Sequence, residues 1–581
     1  MRQTFHIGKT YKEDPKDTQT VAHKLLLRAG YIQQIAAGVY VFMPLLLRTL
    51  RKLSQIIRSE MNAGGFVELL LPTLQPKSLW IESGRWNDDN EIGRSIFVVR
   101  DHRGGSFCLA QAHEEVITDI IRKEVHSYKH LPKKVYQIQT TFSDDTRPRS
   151  GLIHARESMV TDAYSYHANE ADLDACYQAV LDAYHRVCTC VDLDFRCVEG
   201  DNSANGGISR HEFIVLTETG EDTIVYCDTC NYAANQKIAE SSLAVFPQDT
   251  KEKAREAVYG PGLIGVEPLA EFLNLPVWKT TKTLLFQADS KVVAVMVRGD
   301  CDVNALKVKK FLKCNELSLA SPEVITELTG AKVGYAGPID LPPEIDVIAD
   351  HFTKERVNFE CGANKTDYHY INVNFERDLP LPVFGDFKLA KQDHFCPRCK
   401  NGTLKEAQGI DVGHVMKLGA EYSKKMNATY QAADGKYLPM LMGSHQFSIS
   451  RLAAAVVEQH NDPSGIIWPA RIAPFQVHLI GLNLETDDVR TEAERIYSTL
   501  RQENIEVLFD DRNVRAGEKF GDADLFGIPI RLTISKRTCK AQGIELKLRN
   551  NPDSQHVSYD DALKKIHTFY KIPVGSGASM Y

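Results

Sequence analysis

From Ala22 to Arg58 the apolar residues Leu25, Leu26, Ile32 and Ile35 recur at helical spacing, with Gly38 and Pro44 as breaks. The spacing predicts helix over this stretch, interrupted at those two residues. The run Phe66-Val-Glu-Leu-Leu-Leu-Pro72 is different: nearly continuous, apolar and ended by proline, it reads as a buried strand. Glu114–Glu124 has the pattern of an amphipathic helix, Lys134–Phe142 is strand-like, and Asp172–Val191 is helical again. Up to about Asn235 these elements describe an antiparallel α+β domain.

A second rhythm occupies roughly 240–390. Helical signals over Glu252–Val258 and Pro268–Leu273 lead into two strand runs, Lys282-Thr-Leu-Leu-Phe and Val292-Val-Ala-Val-Met-Val, and then a helix over Asn304–Cys314. Strand pattern resumes at Gly409–His414, and Ser450–His460 is a strong helix ahead of Pro463. From Pro474 strand and helix alternate through Val477–Ile480, Glu492–Gln502, Ile505–Phe509 and Ile528–Ile534, a compact α/β domain of about 100 residues.

At 581 residues the chain is too long for one core, so three or four domains are expected. Apolar content of 43% and charged content of 25% are those of a soluble globular protein. No run approaches the roughly 20 apolar residues of a membrane span, and the start, Met1-Arg-Gln-Thr-Phe-His-Ile, has no apolar signal core. Thirteen cysteines, an odd number spread along the chain, do not form a disulfide framework, so a reducing, cytoplasmic compartment is expected. The net charge of −7 argues against a nonspecific nucleic-acid coat while leaving room for local basic patches.

Two CxxC pairs, Cys227-Asp-Thr-Cys230 and Cys396-Pro-Arg-Cys399, bracket the middle block. If that block is an insertion, its ends return to nearly the same place, and the four thiols could meet in a tetrahedral Zn2+ site. The alternative is four structural or free cysteines.

The stretch from Arg147 to His167 carries the strongest chemical signal: Arg-Pro-Arg-Ser-Gly, then Ala155-Arg-Glu-Ser-Met-Val-Thr-Asp-Ala-Tyr-Ser-Tyr-His167. Its arginines are spaced to hold an anion over a sheet. With Gly65–Pro76 before it and Gly443–Pro469 after it, the segment resembles the second of the three signature motifs of class II aminoacyl-tRNA synthetases. Leu79-Trp80, Glu82-Ser-Gly84-Arg85-Trp86 and His113-Glu114-Glu115-Val116-Ile117-Thr118 narrow the resemblance to the bacterial-type prolyl-tRNA synthetase family, over essentially the whole chain. It implies ATP with Mg2+, proline and tRNA(Pro) as reactants and a homodimer built on the first motif.

Against that family's pattern several positions have changed. Phe-Arg-x-Glu reads here as Phe142-Ser143-Asp144-Asp145, so the arginine for the α-phosphate is Ser143 and the adenine-reading glutamate is shortened to Asp145. Arg-Glu-Phe reads as Arg156-Glu157-Ser158, without the ring that stacks on adenine. Thr-His-Glu reads as Ala112-His113-Glu114, keeping the carboxylate for the imino nitrogen. His414 is kept, the glutamine after it is Lys417, and Gly-Ile-Gly before the third motif is Gln446-Phe447-Ser448. Arg451, the third motif's arginine, is present. A fixed arginine neutralises developing phosphate charge, and its loss costs orders of magnitude in rate. Each change alone is compatible with drift; together they point to impaired adenylate synthesis.

The inserted block resembles the family's editing domain, which hydrolyses alanyl-tRNA(Pro). Lys282, the turn Gly334-Tyr-Ala-Gly337-Pro338, Asp350 and His369 match its positions. Asp510-Asp511-Arg512, Arg515–Phe520 and Asp524–Pro529 resemble the class IIa anticodon-binding domain. The expected modules are a class II catalytic domain split over 1–235 and 391–472, an inserted α/β editing domain over 236–390, and an α/β anticodon-binding domain over 473–581. Three readings follow: a divergent ligase, a tRNA hydrolase with a decayed synthetic site, and a non-catalytic tRNA-binding or regulatory paralogue or one recruited to a side pathway.

Overall fold

A computed structural model describes residues 1–16, 18–86, 96–109, 111–145, 147–202 and 207–571. The chain forms two compact units, one of Met1–Cys197, Asn202–Asp222 and Gln408–Tyr581, the other of Val198–Asp201 and Thr223–Ala407.

The first unit is built on an antiparallel sheet in the order Ser209–Leu216, Leu404–Gly419, Leu441–Ser448, Glu157–His167, Lys133–Phe142, with Val67–Glu68 added parallel at the edge. Successive side chains point to opposite faces of a strand. Ala163 and Phe447 therefore join one core with Leu50, Leu53, Tyr184, Val187 and Leu452 of the helices Pro44–Ala63, Glu170–Cys190 and Ile449–Gln459. Tyr164, Tyr166 and Met442 join the other with Ile117 and Ile121 of helix Glu114–Glu124.

Two expectations for this unit are corrected. Helix Val21–Arg28 stops early, and Ile32–Ala36 pairs with Val39–Phe42 as a hairpin before helix Pro44–Ala63 begins. Gly30 and Gly38 both take positive φ, 64° and 75°, which ends the helix and turns the hairpin. Ile35, 66% exposed, belongs to no helical face. Nor is Phe66–Pro72 a buried strand: only Val67–Glu68 is strand, and of the run only Phe66 and Leu71 are buried.

The same unit holds a second, five-stranded sheet with its own core. Its order is Val507–Asp510, Val477–Gly481, Ile530–Ile534, Ile544–Leu548 and Ser554–Val557, parallel in the first two pairings and antiparallel in the last two. Val489, Ala493, Ile496 and Leu500 of helix Asp487–Gln502 and Ile566 of helix Tyr559–Tyr570 fill that core.

The second unit contains a five-stranded sheet, in the order Leu317–Leu319, Thr281–Ala288, Lys291–Arg298, Asp346–Asp350, Val383–Gly385, and a three-stranded one of Glu256–Tyr259, Tyr368–Val373 and Phe359–Gly362. The helix expected over Glu252–Val258 is instead the strand Glu256–Tyr259, paired with Tyr368–Ile371. Pairing partners distant in sequence override weak local helix preference there. Among the described residues, no helix is long and apolar enough to cross a membrane.

Candidate active sites

In the first unit the residues of the expected synthetic site lie on and beside the central sheet, and many of their polar atoms are bonded to neighbouring residues of the fold. Gln111 donates to the Ser143 hydroxyl at 2.9 Å. Gln446 faces Asp162 in the sheet register and donates to its carboxylate at 2.8 Å and to the Gln111 carbonyl at 3.2 Å. The other carboxylate oxygen of Asp162 lies 3.1 Å from Nδ1 of His113. Amides, one hydroxyl and the Asp162 carboxylate are thus bonded together around the positions where the family pattern has an arginine, at 143, and a glycine, at 446.

Phe447 is fully buried with its ring 4.7 Å from that of Tyr184, so it belongs to the core. Ser448 caps helix Ile449–Gln459 by accepting from the Arg451 amide, a local reason for serine at this position. Arg451 donates to the Asp411 carbonyl at 2.8 Å, while its Nε is buried without a partner. Burial, with Glu212 nearby, pushes the Asp411 carboxyl up to about 7. Burial also holds His414 neutral, well below the usual imidazole range.

Glu114 stands in the first turn of its helix, accepting from Ser444 at 2.9 Å and pairing with Arg85 at 3.2 Å. Ala112 lends only its carbonyl, to Gln75. Asp145 closes a turn by accepting from the Arg147 amide, and Arg156 reaches the Asp145 carbonyl at 3.0 Å. Ser158 pairs with Thr141 across the sheet. Lys417 is drawn off to an ion pair with Asp174, over the Tyr177 ring.

The second unit holds a cavity of about 330 Å³ whose walls include Leu269, Leu285, Leu319, Ile325 and Val333. Lys282, Gly334 and His369 all line it. Gly334 has φ 101°, and a Cβ there would meet Ile264 at 2.9 Å, so glycine is required for this loop to approach the cavity. Lys282 is held by Asp302 at 2.7 Å, and the same carboxylate binds Lys391. Asp350 is not in the cavity wall. Its carboxylate is consumed by the backbone amides of Phe352, Phe387 and Lys388, at 3.0, 2.9 and 3.0 Å. The cavity contains instead a residue that the sequence reading passed over. Glu360 lies 2.9 Å from Nδ1 of His369. Its only sequence signal is an acid inside an otherwise apolar strand, Phe359–Gly362.

The four cysteines of the CxxC pairs meet in this unit, with all four Sγ atoms within 4.8 Å of one another. Cys227 and Cys399 are 3.7 Å apart, Cys230 and Cys396 3.6 Å. Tetrahedral thiolates about 2.3 Å from a Zn2+ ion would be separated by about 3.8 Å. Backbone amides of Thr229 and Cys230 point at the Cys227 sulfur and that of Gly402 at Cys399, as suits thiolate charge. Among the described residues every cysteine is free of disulfide.

In the C-terminal sheet region, Arg512 is locked to Asp510 at 2.7 Å and to Asp522 at 2.9 Å, and Lys519 donates to the Gly481 carbonyl. These basic groups brace the loop, leaving Asn513, Val514, Arg515 and Gly517 exposed on it.

Residues 261–379 match a family model described as aminoacyl-tRNA editing domain, and residues 472–568 one described as anticodon binding domain. A proline–tRNA ligase of Bacillus cytotoxicus is 44% identical over 569 residues, covering 98% of this chain and 99% of that protein. One of Bacillus mycoides is 43% identical over 561 residues, covering 97% and 98%. Among solved structures, prolyl-tRNA synthetase from Cryptosporidium parvum, complexed with halofuginone and AMPPNP, superposes with a TM-score of 0.57 at 10% identity, over 95% of this chain and 76% of that one. That likeness bears on the fold, which is the class II synthetase architecture with an inserted editing domain and a C-terminal anticodon-binding domain. With more than two-fifths of its residues shared along almost its entire length, the chain belongs to the prolyl-tRNA synthetase family, a family of ligases.

Proposed function

We propose that this family member hydrolyses alanyl-tRNA(Pro) in the cavity of its second unit and that its adenylate-forming site is badly impaired. The family reaction, ATP-dependent attachment of proline to tRNA(Pro), is then slow or absent. The observation that carries the reading is the contrast between the two sites. Gln446 and Gln111 tie Asp162 and Ser143 into a hydrogen-bonded lattice with no cation in it, whereas Lys282, Gly334 and His369 stand together around an open, mostly apolar cavity. Such a cavity suits a small apolar side chain, the lysine suits phosphate or 3′-end oxygens, and glycine amides suit an oxyanion.

ATP with Mg2+ belongs to the synthetic reaction, with Arg156, Asp145 and Arg451 the residues left to hold the nucleotide and Glu114 and His414 those left for the amino acid. A Zn2+ ion on Cys227, Cys230, Cys396 and Cys399 is part of the reading, supported by the sulfur spacing. A homodimer is supported by Val67 and Leu70, 66% and 71% exposed on and beside an edge strand. The module boundaries at 235/236, 390/391 and 472/473 and a cytoplasmic location complete it.

The test is hydrolysis of alanyl-tRNA(Pro) by the purified protein. Wild type is expected to deacylate alanyl-tRNA(Pro) and to spare prolyl-tRNA(Pro); Lys282→Ala is expected to abolish deacylation while tRNA binding persists. Equal hydrolysis by the Lys282→Ala variant would sink the assignment, and tRNA binding with neither activity would favour the non-catalytic paralogue. Metal analysis should return one zinc per chain, and stripping it should lower the melting temperature of the second unit; a fully metal-free protein of unchanged stability would contradict the zinc site.

A further inference from the structure

We infer that Glu360 is the positioning residue of the hydrolytic cavity, holding His369 and the Lys282 strand in register through one buried carboxylate. The inference rests on the hydrolytic reading above and adds to it a residue which that reading does not require. Glu360 and His369 sit on neighbouring antiparallel strands, Phe359–Gly362 and Tyr368–Val373, and are 1% and 4% exposed. Oε1 of Glu360 lies 2.9 Å from Nδ1 of His369, and Oε2 accepts the Thr281 amide at 3.1 Å. Thr281 opens the strand Thr281–Ala288 and immediately precedes Lys282. One carboxylate therefore fixes both an imidazole and the backbone that presents the lysine.

The carboxylate is itself supported. Arg356 is fully enclosed, with Glu360 the largest source of compensating negative charge. Its guanidinium donates to Thr281 Oγ1 at 3.0 Å and to the carbonyls of Lys279 and Thr280. Stability is a poor reason to bury such a group of charges, because apolar side chains of similar volume usually do as well or better. Beside a cavity the arrangement has a chemical use.

With Nδ1–H donated to the carboxylate, the imidazole is held in the tautomer whose Nε2 carries the lone pair. Nε2 of His369 is buried without a hydrogen-bond partner, on a residue that lines the cavity. In ester hydrolysis it would accept a proton as the water oxygen bonds to the alanyl carbonyl carbon. The same proton would return to the ribose oxygen as the carbon–oxygen ester bond breaks, leaving alanine and free tRNA. Glu360 touches none of the reacting atoms and acts only through His369 and Thr281.

The experiment is steady-state hydrolysis of alanyl-tRNA(Pro) by the full chain carrying Glu360→Gln, Glu360→Asp, His369→Ala, or Glu360→Gln with His369→Ala, each checked by thermal melting. Glu360→Gln should lower kcat by about 10- to 100-fold with KM changed little, the range seen when an outer partner of an active histidine is removed. Glu360→Asp, which keeps the charge, should recover part of the loss. Glu360→Gln added to His369→Ala should cost nothing more, because the carboxylate works through that ring. A Glu360→Gln protein with wild-type kcat, or a full additional loss in the double variant, would overturn the role of Glu360 while leaving the hydrolytic reading in place. A wild-type protein that leaves alanyl-tRNA(Pro) intact would overturn both.

Discussion

Restoring arginine at Ser143 returns the charge that the family pattern places at the α-phosphate, but it leaves Ser158 without a ring and Gln446 bonded to Asp162. Ser143→Arg alone is therefore expected to recover no more than a small fraction of the activity of an unaltered relative, measured as prolyl-adenylate formation; full recovery would contradict decay at several positions. Proximity that follows from residue type and local spacing was legible in the sequence: the four cysteine sulfurs meet, and Lys282, Gly334 and His369 line one cavity. Asp350 matches the motif equally well, yet its carboxylate is spent on three backbone amides. Glu360 was invisible because its meaning comes from a strand partner and from an arginine, neither of which a linear pattern connects to it.

At the scale of elements, Ser448 has a structural task. Its hydroxyl caps helix Ile449–Gln459, which carries Arg451. Ser448→Ala should destabilise the protein by about 1 kcal/mol and Ser448→Gly by only a few tenths, read from denaturant unfolding. Equal effects of the two would mean that the cap contributes nothing. Helices with a strong apolar stripe, such as Glu114–Glu124 and Ile449–Gln459, were predicted almost to the residue, since one buried face sets their period. The stretch around Gly38 was misread because Ile32 and Ile35 continue by coincidence the helical period of Leu25 and Leu26, and the positive φ of Gly30 and Gly38 divides helix from hairpin. Phe66–Pro72 was misread because apolar composition does not distinguish a strand inside a sheet from one left open at its edge.

For the whole molecule, buried histidines tie stability to pH. Burial depresses His445 and His478 to about 3 and His167 to about 4, from an ordinary 6.5. The native state then binds fewer protons than the unfolded chain below pH 6.5. Their contribution is fully present above that pH and is lost as the pH falls, toward 4 for His167 and toward 3 for His445 and His478, by up to about 1.4 kcal/mol per pH unit for each group. The melting temperature of the first unit should fall steadily between pH 6.5 and 4.5, and a flat profile would show that these imidazoles are solvated. At the same scale, the proposed function separates two activities, hydrolysis in the cavity of one unit and adenylate formation on the central sheet of the other. Proline-dependent exchange of pyrophosphate into ATP, with and without tRNA(Pro), tests that division most directly. The expected result is exchange at least about 100-fold below that of an unaltered relative, the cost of a lost oxyanion-type donor, in a preparation that still deacylates alanyl-tRNA(Pro). Exchange at the relative's rate would contradict it and would mean that other groups neutralise the α-phosphate.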